Sequence, residues 1–297
     1  MPTNKMKHKA GYVNIIGKPN VGKSTLMNAM VGEKLSIITS RAQTTRHRIH
    51  GILNTPEYQV IFSDTPGILD PSYKLQETML KAARSALVDA DVLIYLTEMD
   101  ESPDPDDPFL QKVAKSKAPV LLVINKIDLS NQEQVRKRME EWDAVLPKAE
   151  QIPISALKNF NVDSIFRRIL ELLPESPPYY PKDALTDKSE RFFVGEMIRE
   201  KILLYYKQEI PYAVEVEVES FKEDGRLIRI SALIYVERDS QKGILIGNEG
   251  KALKKVGRES RLDMEDFFQK KVFLELRVKV KKDWRKNERF IKNFGYH

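Results

Sequence analysis

Short apolar runs recur through the first half of the chain, at 12–16, 59–63, 92–96, 120–124 and 151–154. Runs of this length without alternation read as strands buried on both faces. Between them the apolar spacing becomes helical. Leu75, Met79, Ala82, Ala83 and Ala86 share one face of 74–88. Val135, Met139, Trp142 and Leu146 share a face of 131–146, and Ile165, Phe166, Ile169 and Leu173 a face of 162–173. Strand–helix alternation at this spacing predicts an α/β domain on a mostly parallel sheet, over residues 1–173. Four prolines in 174–181 (PESPPYYP) then forbid a helix, so 174–190 reads as a semi-rigid, extended linker.

The rhythm differs beyond it. A helical face (Phe192, Val194, Ile198, Ile202, Tyr205) is predicted over 191–206. Strict alternation follows at 213–221 (AVEVEVESF) and a second strand at 227–236, joined by a turn holding Asp224 and Gly225. Two helices around a glycine turn span 240–269, a third strand covers 272–280, and a basic helix covers 283–294. The order α-β-β-α-α-β makes 191–297 a smaller α+β domain.

Composition narrows the chemistry. The chain of 297 residues has no Cys, which removes disulfides, thiolate metal sites and Cys nucleophiles. Its four His (His8, His47, His50, His297) lack metal-ligand spacing. The apolar stretches near 91–96 and 118–124 are too short to span a bilayer, and the basic N-terminus leads into no signal-type apolar run. A soluble, cytoplasmic protein is expected. Residues 1–181 carry a net charge of +1 and residues 182–297 one of +5, with ten basic and three acidic residues in 270–297. That excess fits either a polyanion partner or a solvated charged face.

The segment GKPNVGKS (Gly17, Lys18, Pro19, Asn20, Val21, Gly22, Lys23, Ser24, then Thr25) follows a predicted strand and opens a helix. Gly17 and Gly22 let the backbone curl so that N–H groups point at phosphate oxygens. Lys23 reaches the β- and γ-phosphates, and Ser24 offers its hydroxyl to Mg²⁺. Asp64, Thr65, Pro66 and Gly67 (DTPG) end the strand 59–63. Asp64 can hold the Mg²⁺ through its water shell, and the Gly67 N–H can meet the γ-phosphate. Asn125, Lys126 and Asp128 (NKID) end the strand 120–124. The Asp128 carboxylate can accept from guanine N1–H and the exocyclic amine, a donor pair adenine lacks. Ser155, Ala156 and Leu157 (SAL) end the next strand, where the Ala156 N–H can meet guanine O6. Each motif sits at the carboxyl edge of a strand, where α/β ligands bind, and the set selects GTP over ATP. The acidic tract 98–108, with six acids, lacks cation-loop spacing and reads as a solvated loop capping the next helix.

In the second domain GILIGNEGKALKKVG (243–257) holds the turn Gly247, Asn248, Glu249, Gly250. Glycines permit close approach of an RNA backbone. Lys242, Lys251, Lys254, Lys255 and Arg258 add counter-charge, and Ile244 and Ile246 flank the turn. Glu249 runs against that purpose unless it points away from phosphate. Ile230, Ala232 and Ile234 on the neighbouring strand face either bases or the core.

Together GKPNVGKS, DTPG, NKID and SAL resemble the TrmE–Era–EngA group of translation-factor-like GTPases, and SRAQTTRHRIHGI (40–52) is similar to the first switch of its Era family. The turn 247–250 in its α-β-β-α-α-β setting resembles a type II KH domain, which clamps about four single-stranded nucleotides. The resemblance implies a P-loop GTPase joined to a KH domain. It implies that a Thr of the TTR triplet binds Mg²⁺, here Thr45 with Thr44 as runner-up, so that Lys23, Thr45 and Gly67 carry hydrolysis and Ser24, Thr45 and Asp64 hold the metal. It further implies K⁺ near Asn20, binding to the 3′ region of 16S ribosomal RNA, help in 30S assembly, and peripheral contact with the inner face of the cell membrane. Ile68 stands where many GTPases place a water-orienting Gln, so slow intrinsic hydrolysis is expected. Two alternatives stay open: an RNA scaffold or chaperone with incidental turnover, and a membrane-associated regulatory GTPase.

Overall fold

Residues 8–296 are described by a computed structural model. The basic start of the chain and His297, both used above, lie outside the described residues. Two compact units emerge. Among the described residues the first comprises 8–36, 45–70 and 79–187; the second comprises 37–44, 71–78 and 188–296.

In the first unit β1 (Lys9–Ile16), β2 (Ile49–Asn54), β3 (Tyr58–Asp64), β4 (Val92–Glu98), β5 (Val120–Asn125) and β6 (Glu150–Pro153) form one sheet in the order β2-β3-β1-β4-β5-β6. Every pairing is parallel except β2 with β3. The helices are α1 (Lys23–Val31), α2 (Lys74–Ser85), α3 (Pro108–Ala114), α4 (Gln132–Val145) and α5 (Val162–Leu172). Leu93, Tyr95, Leu122 and Ile124 of the sheet pack with Phe109, Leu110, Val113, Trp142 and Leu146, and the side chain of Ile68 packs against this cluster. Asn131 and Gln134 cap α4 reciprocally, at 2.9 and 3.0 Å.

β2 was not expected from the pattern, because His50 and Gly51 interrupt its apolar run. The proline-rich stretch differs too. It does not begin a free linker: it bonds to Ala10 of β1 and Gln59 of β3, and residues 184–187 beyond it run along the β2 edge of the same unit. Gln59, fully buried on β3, accepts from the N–H groups of Tyr179 (2.7 Å) and Tyr180 (2.9 Å). The Ile52 N–H donates to Leu185 O at 2.8 Å, Asn54 Nδ2 donates to Ala184 O at 2.8 Å, and the His50 N–H donates to Asp187 Oδ1 at 2.9 Å. The first unit therefore runs to 187 rather than 173.

The second unit has α6 (Glu190–Tyr205), α7 (Ile210–Ala213), β7 (Glu215–Asp224), β8 (Leu227–Val236), α8 (Asp239–Ile246), α9 (Lys251–Phe268), β9 (Lys271–Val280) and α10 (Glu288–Asn293). Its sheet, β7-β8-β9, pairs β7 with β8 antiparallel and β8 with β9 parallel. Ile228, Ile230, Ala232 and Ile234 of β8 are buried with Val194, Ile198 and Ile202 of α6 and Val256 and Met264 of α9. Ile230, Ala232 and Ile234 are thus core residues, which settles their two readings. The expected terminal helix is split: a short turn (Trp284–Lys286) precedes α10, and Asn287 caps the latter by accepting from the Arg289 N–H at 3.0 Å. Trp284 is buried, its Nε1–H donating to Ala213 O at 2.9 Å.

Segments 37–44 and 71–78 join this unit through specific bonds. Arg199 of α6, nearly fully buried, pairs with Glu196 at 2.6 Å and donates to the carbonyls of Gln43 (3.3 Å) and Thr44. Tyr73 donates to Gln43 Oε1 at 2.8 Å, and the Arg285 guanidinium lies 4.9 Å from the Tyr73 ring.

Candidate functional site

The loop between β1 and α1 owes its shape to glycine. Gly17 has φ 151°, and a Cβ there would come within 2.1 Å of Leu96 O. Gly22 has φ 104°, and a Cβ there would meet Asn125 Nδ2 at 2.3 Å. Asn125 fills that space to join two motifs: its Nδ2 donates to Val21 O at 2.8 Å and its Oδ1 accepts from the Ala156 N–H at 2.9 Å. The donor expected to meet guanine O6 is therefore engaged by Asn125 in this structure. Asp128 is exposed on the turn after β5, Leu157 is exposed, and Ser155 is buried. Lys126 (φ 64°) pairs with Glu98.

Lys23 is buried, its Nζ donating to Gly17 O at 3.0 Å and Lys18 O at 2.7 Å. Burial pulls its pKa down to about 8, against the opposing charges of Asp64 and Glu101. Around it three oxygens converge. Ser24 Oγ donates to Asp64 Oδ2 at 2.6 Å and lies 2.9 Å from Thr45 Oγ1, which is 3.2 Å from Asp64 Oδ2. Thr44 turns elsewhere, its Oγ1 bonded to Thr39 Oγ1 and Arg41 O, both at 2.7 Å. Of the two threonines, the structure brings Thr45 to Ser24 and Asp64. Asp64 is buried, its other oxygen, Oδ1, has no hydrogen-bond partner among the described residues, and burial raises its pKa against the Ser24 bond and the Lys23 charge. A buried, under-satisfied carboxylate beside two hydroxyls is a hard-oxygen donor set that suits Mg²⁺.

Thr65 Oγ1 donates to Ile15 O at 2.8 Å, and the Ile68 N–H donates to Gly17 O at 3.1 Å. A Cβ on Gly67 would lie 2.8 Å from Pro19, so only glycine lets the DTPG turn come this close to GKPNVGKS. Asn20 (φ 66°) is exposed at the loop's tip.

The acidic tract is not simply solvated. Asp107 does cap α3, accepting from the Phe109 N–H at 2.7 Å. Glu101, however, is only 7% exposed and lies 3.1 Å from Lys18 Nζ, while Glu98 pairs with Lys126. Nothing in the spacing signalled this; both acids find their partners through the sheet.

In the second unit Gly247 has φ 73° and ψ 178°, a region open essentially to glycine alone, and a Cβ there would meet Ala252 Cβ at 2.6 Å. Gly250 (φ 72°) faces open space, with only Lys254 Cε at 4.0 Å. Asn248, Glu249, Lys251, Lys254, Lys255 and Arg258 are exposed, as is Ile244, while Ile246 is half-buried. Glu249 pairs with Lys251 at 2.8 Å, and Lys255 Nζ stands 3.9 Å from the Tyr205 ring centroid. The Tyr206 hydroxyl donates to Leu245 O at 2.6 Å and so ties α6 to the turn, a link the sequence did not signal.

A profile of 50S ribosome-binding GTPases matches residues 12–126, and a KH-domain profile matches 209–285. The GTPase Era of Geotalea daltonii is 46% identical over 289 residues, covering 97% of either chain, and that of Staphylococcus haemolyticus is 45% identical over 292 residues, covering 98% of either. This chain belongs to the GTPase Era family. The chloroplastic GTPase ERA1 of Zea mays is 48% identical over 294 residues, 97% of this chain and 71% of that one. A solved Era structure in complex with MgGDPNP and nucleotides 1506–1542 of 16S ribosomal RNA matches with a TM-score of 0.92 at 39% identity, over 97% of this chain and 99% of that chain. A substituted Aquifex aeolicus Era bound to GDP·AlF4⁻ matches equally, at 38% identity over the same shares.

Within this Era family member the depressed pKa of Lys23 gives a pH dependence with a definite sign. Nucleotide phosphates bound at Lys23 would hold the ammonium protonated, whereas the free site releases that proton near pH 8. Above pH 8 binding must take up a proton, so affinity falls as pH rises. Between pH 7 and 9 the GDP dissociation constant is expected to increase about tenfold by calorimetry; a flat profile would contradict the burial of a charged Lys23.

Proposed function

We propose that this chain is a GTP-hydrolysing switch that binds single-stranded RNA, the 3′ region of 16S ribosomal RNA in particular, and assists assembly of the 30S subunit. The observation that carries the reading is the convergence of Thr45, Ser24 and Asp64 beside Lys23, in one chain with a glycine turn whose Gly247 conformation excludes other residues. The family relatives support it, and the solved Era complex holds both a GTP analogue and 16S nucleotides. The first profile's description names the 50S ribosome, but it matches only the first unit. The KH domain and the near full-length relatives favour the 16S reading.

Lys23 and the N–H groups of 17–24 would take the phosphates, and Asp128 would select guanine. Ser24, Thr45 and Asp64 would hold Mg²⁺, which supplies charge neutralisation to the phosphoryl oxygens when bound. The Gly67 N–H would meet the γ-phosphate. At position 68 the chain offers a packed isoleucine and no polar group to orient water, which supports slow intrinsic turnover. Asn20, exposed at the loop's tip, is the residue that would hold K⁺.

In the second unit Gly247 to Gly250 with Lys251, Lys254, Lys255 and Arg258 would receive the RNA backbone. Part of the terminal basic excess is internal. Lys281 Nζ lies within 5.0 Å of the centroids of Tyr235, Phe290 and Phe294, and Arg285 pairs with Glu237. That weakens the case for the terminal helix as a membrane anchor, and among the described residues no helix is long and apolar enough to cross a bilayer.

The deciding experiment measures affinity for a 16S 3′-end oligonucleotide with GDP and with a non-hydrolysable GTP analogue. A difference of about fivefold or more is expected. Equal affinities would leave an RNA scaffold with incidental turnover, because a ligand without differential affinity shifts no equilibrium.

A further inference from the structure

Glu101 is the one acid of the 98–108 tract whose carboxylate reaches the phosphate-binding loop. Its side chain is 7% exposed and lies in a prepared environment. Thr97 Oγ1 donates to Oε2 at 2.8 Å, the Tyr95 hydroxyl donates to Oε1 at 3.4 Å, and Lys18 Nζ lies 3.1 Å from Oε1. Lys18 is the second residue of GKPNVGKS, and its carbonyl accepts from Lys23 Nζ at 2.7 Å. One residue thus links the carboxylate to the ammonium that would meet phosphate.

A fixed negative charge is an odd neighbour for a polyphosphate site. It has the sign of the ligand, and low exposure denies it the screening that water gives a surface acid. It also occupies Lys18, whose ammonium would otherwise add to the positive field of the loop. Both effects act against nucleotide binding. The two donors from Thr97 and Tyr95 fix the carboxylate in place.

We infer that Glu101 holds down the affinity of the phosphate-binding loop for guanine nucleotides and so speeds their release, by neutralising Lys18 and by setting a negative charge beside the loop. The inference rests on GKPNVGKS being the phosphate site. Changes of affinity at one site fall mostly on the dissociation rate.

Glu101→Gln tests it, because glutamine keeps an acceptor oxygen for Thr97 and removes the charge. Stopped-flow release of a fluorescent GDP analogue is expected to slow about tenfold, with an equal fall in the dissociation constant. A merely structural carboxylate gives the opposite sign, since disturbing its bonds loosens the loop. Lys18→Met leaves Glu101 uncompensated and is expected to weaken GDP binding about fivefold, and adding Glu101→Gln to it is expected to restore affinity. Release from Glu101→Gln as fast as, or faster than, from the unsubstituted protein overturns the inference while the site's assignment stands. If the unsubstituted protein fails to bind GDP at all, the site's assignment falls and this inference with it.

Discussion

Lys23→Ala is expected to weaken GTP and GDP binding by about 3–4 kcal/mol, some 150- to 1000-fold. The side chain is buried with its ammonium held between Gly17 O and Lys18 O, so no other lysine can take its place without rebuilding the loop. Folding is not expected to suffer. Burial already pulls this ammonium's pKa down to about 8, which means the folded chain carries the charge at a cost, and alanine removes that cost. Calorimetry with GDP, beside a thermal melt of the free protein, separates the outcomes. Retained binding with an unchanged melt would remove Lys23 from the phosphate site.

Gly250→Asp is expected to lower affinity for single-stranded RNA by about 2 kcal/mol, roughly thirtyfold, while hydrolysis of free GTP changes less than about twofold. Gly250 sits at φ 72° and ψ 11°, a left-handed conformation that aspartate adopts more readily than most residues. A Cβ there meets only Lys254 Cε, at 4.0 Å, so the new carboxylate fits without displacing the turn and projects where an RNA phosphate would approach. The same change at Gly247 would not be informative, because its backbone region and the 2.6 Å approach to Ala252 Cβ would damage the fold itself. Filter binding to a 16S 3′-end oligonucleotide gives the first quantity and phosphate release the second. Undiminished RNA affinity would place the RNA site elsewhere.

The strands of the parallel sheet were legible because they are buried on both faces and so written as unbroken apolar runs; 92–96 and 120–124 reappear at the heart of β4 and β5. The nucleotide motifs were legible because their chemistry demands fixed residues at fixed spacing. The rest depends on contacts between distant segments. β2 pairs antiparallel at an edge, where His50 and Gly51 are tolerated, and its pattern is correspondingly weak. The prolines of 174–181 fixed an extended backbone but not its docking, which hangs on Gln59, a buried amide on another strand. The choice between Thr44 and Thr45 turns on which hydroxyl faces Asp64, and adjacent residues carry no local mark of that. Segments 37–44 and 71–78 lie within the stretch predicted as the first domain, yet Arg199 and Arg285 gather them into the second unit.

The strip of chain along β2 has a practical consequence. An excised GTPase module cut at 173 would lose the partners of Ile52, Asn54 and Gln59, and would bare a rim of amide and carbonyl groups able to recruit a second molecule strand to strand. Ending the fragment at 187 keeps that rim sealed, so what composition presents as a dispensable tether also guards the module against self-assembly into ribbons.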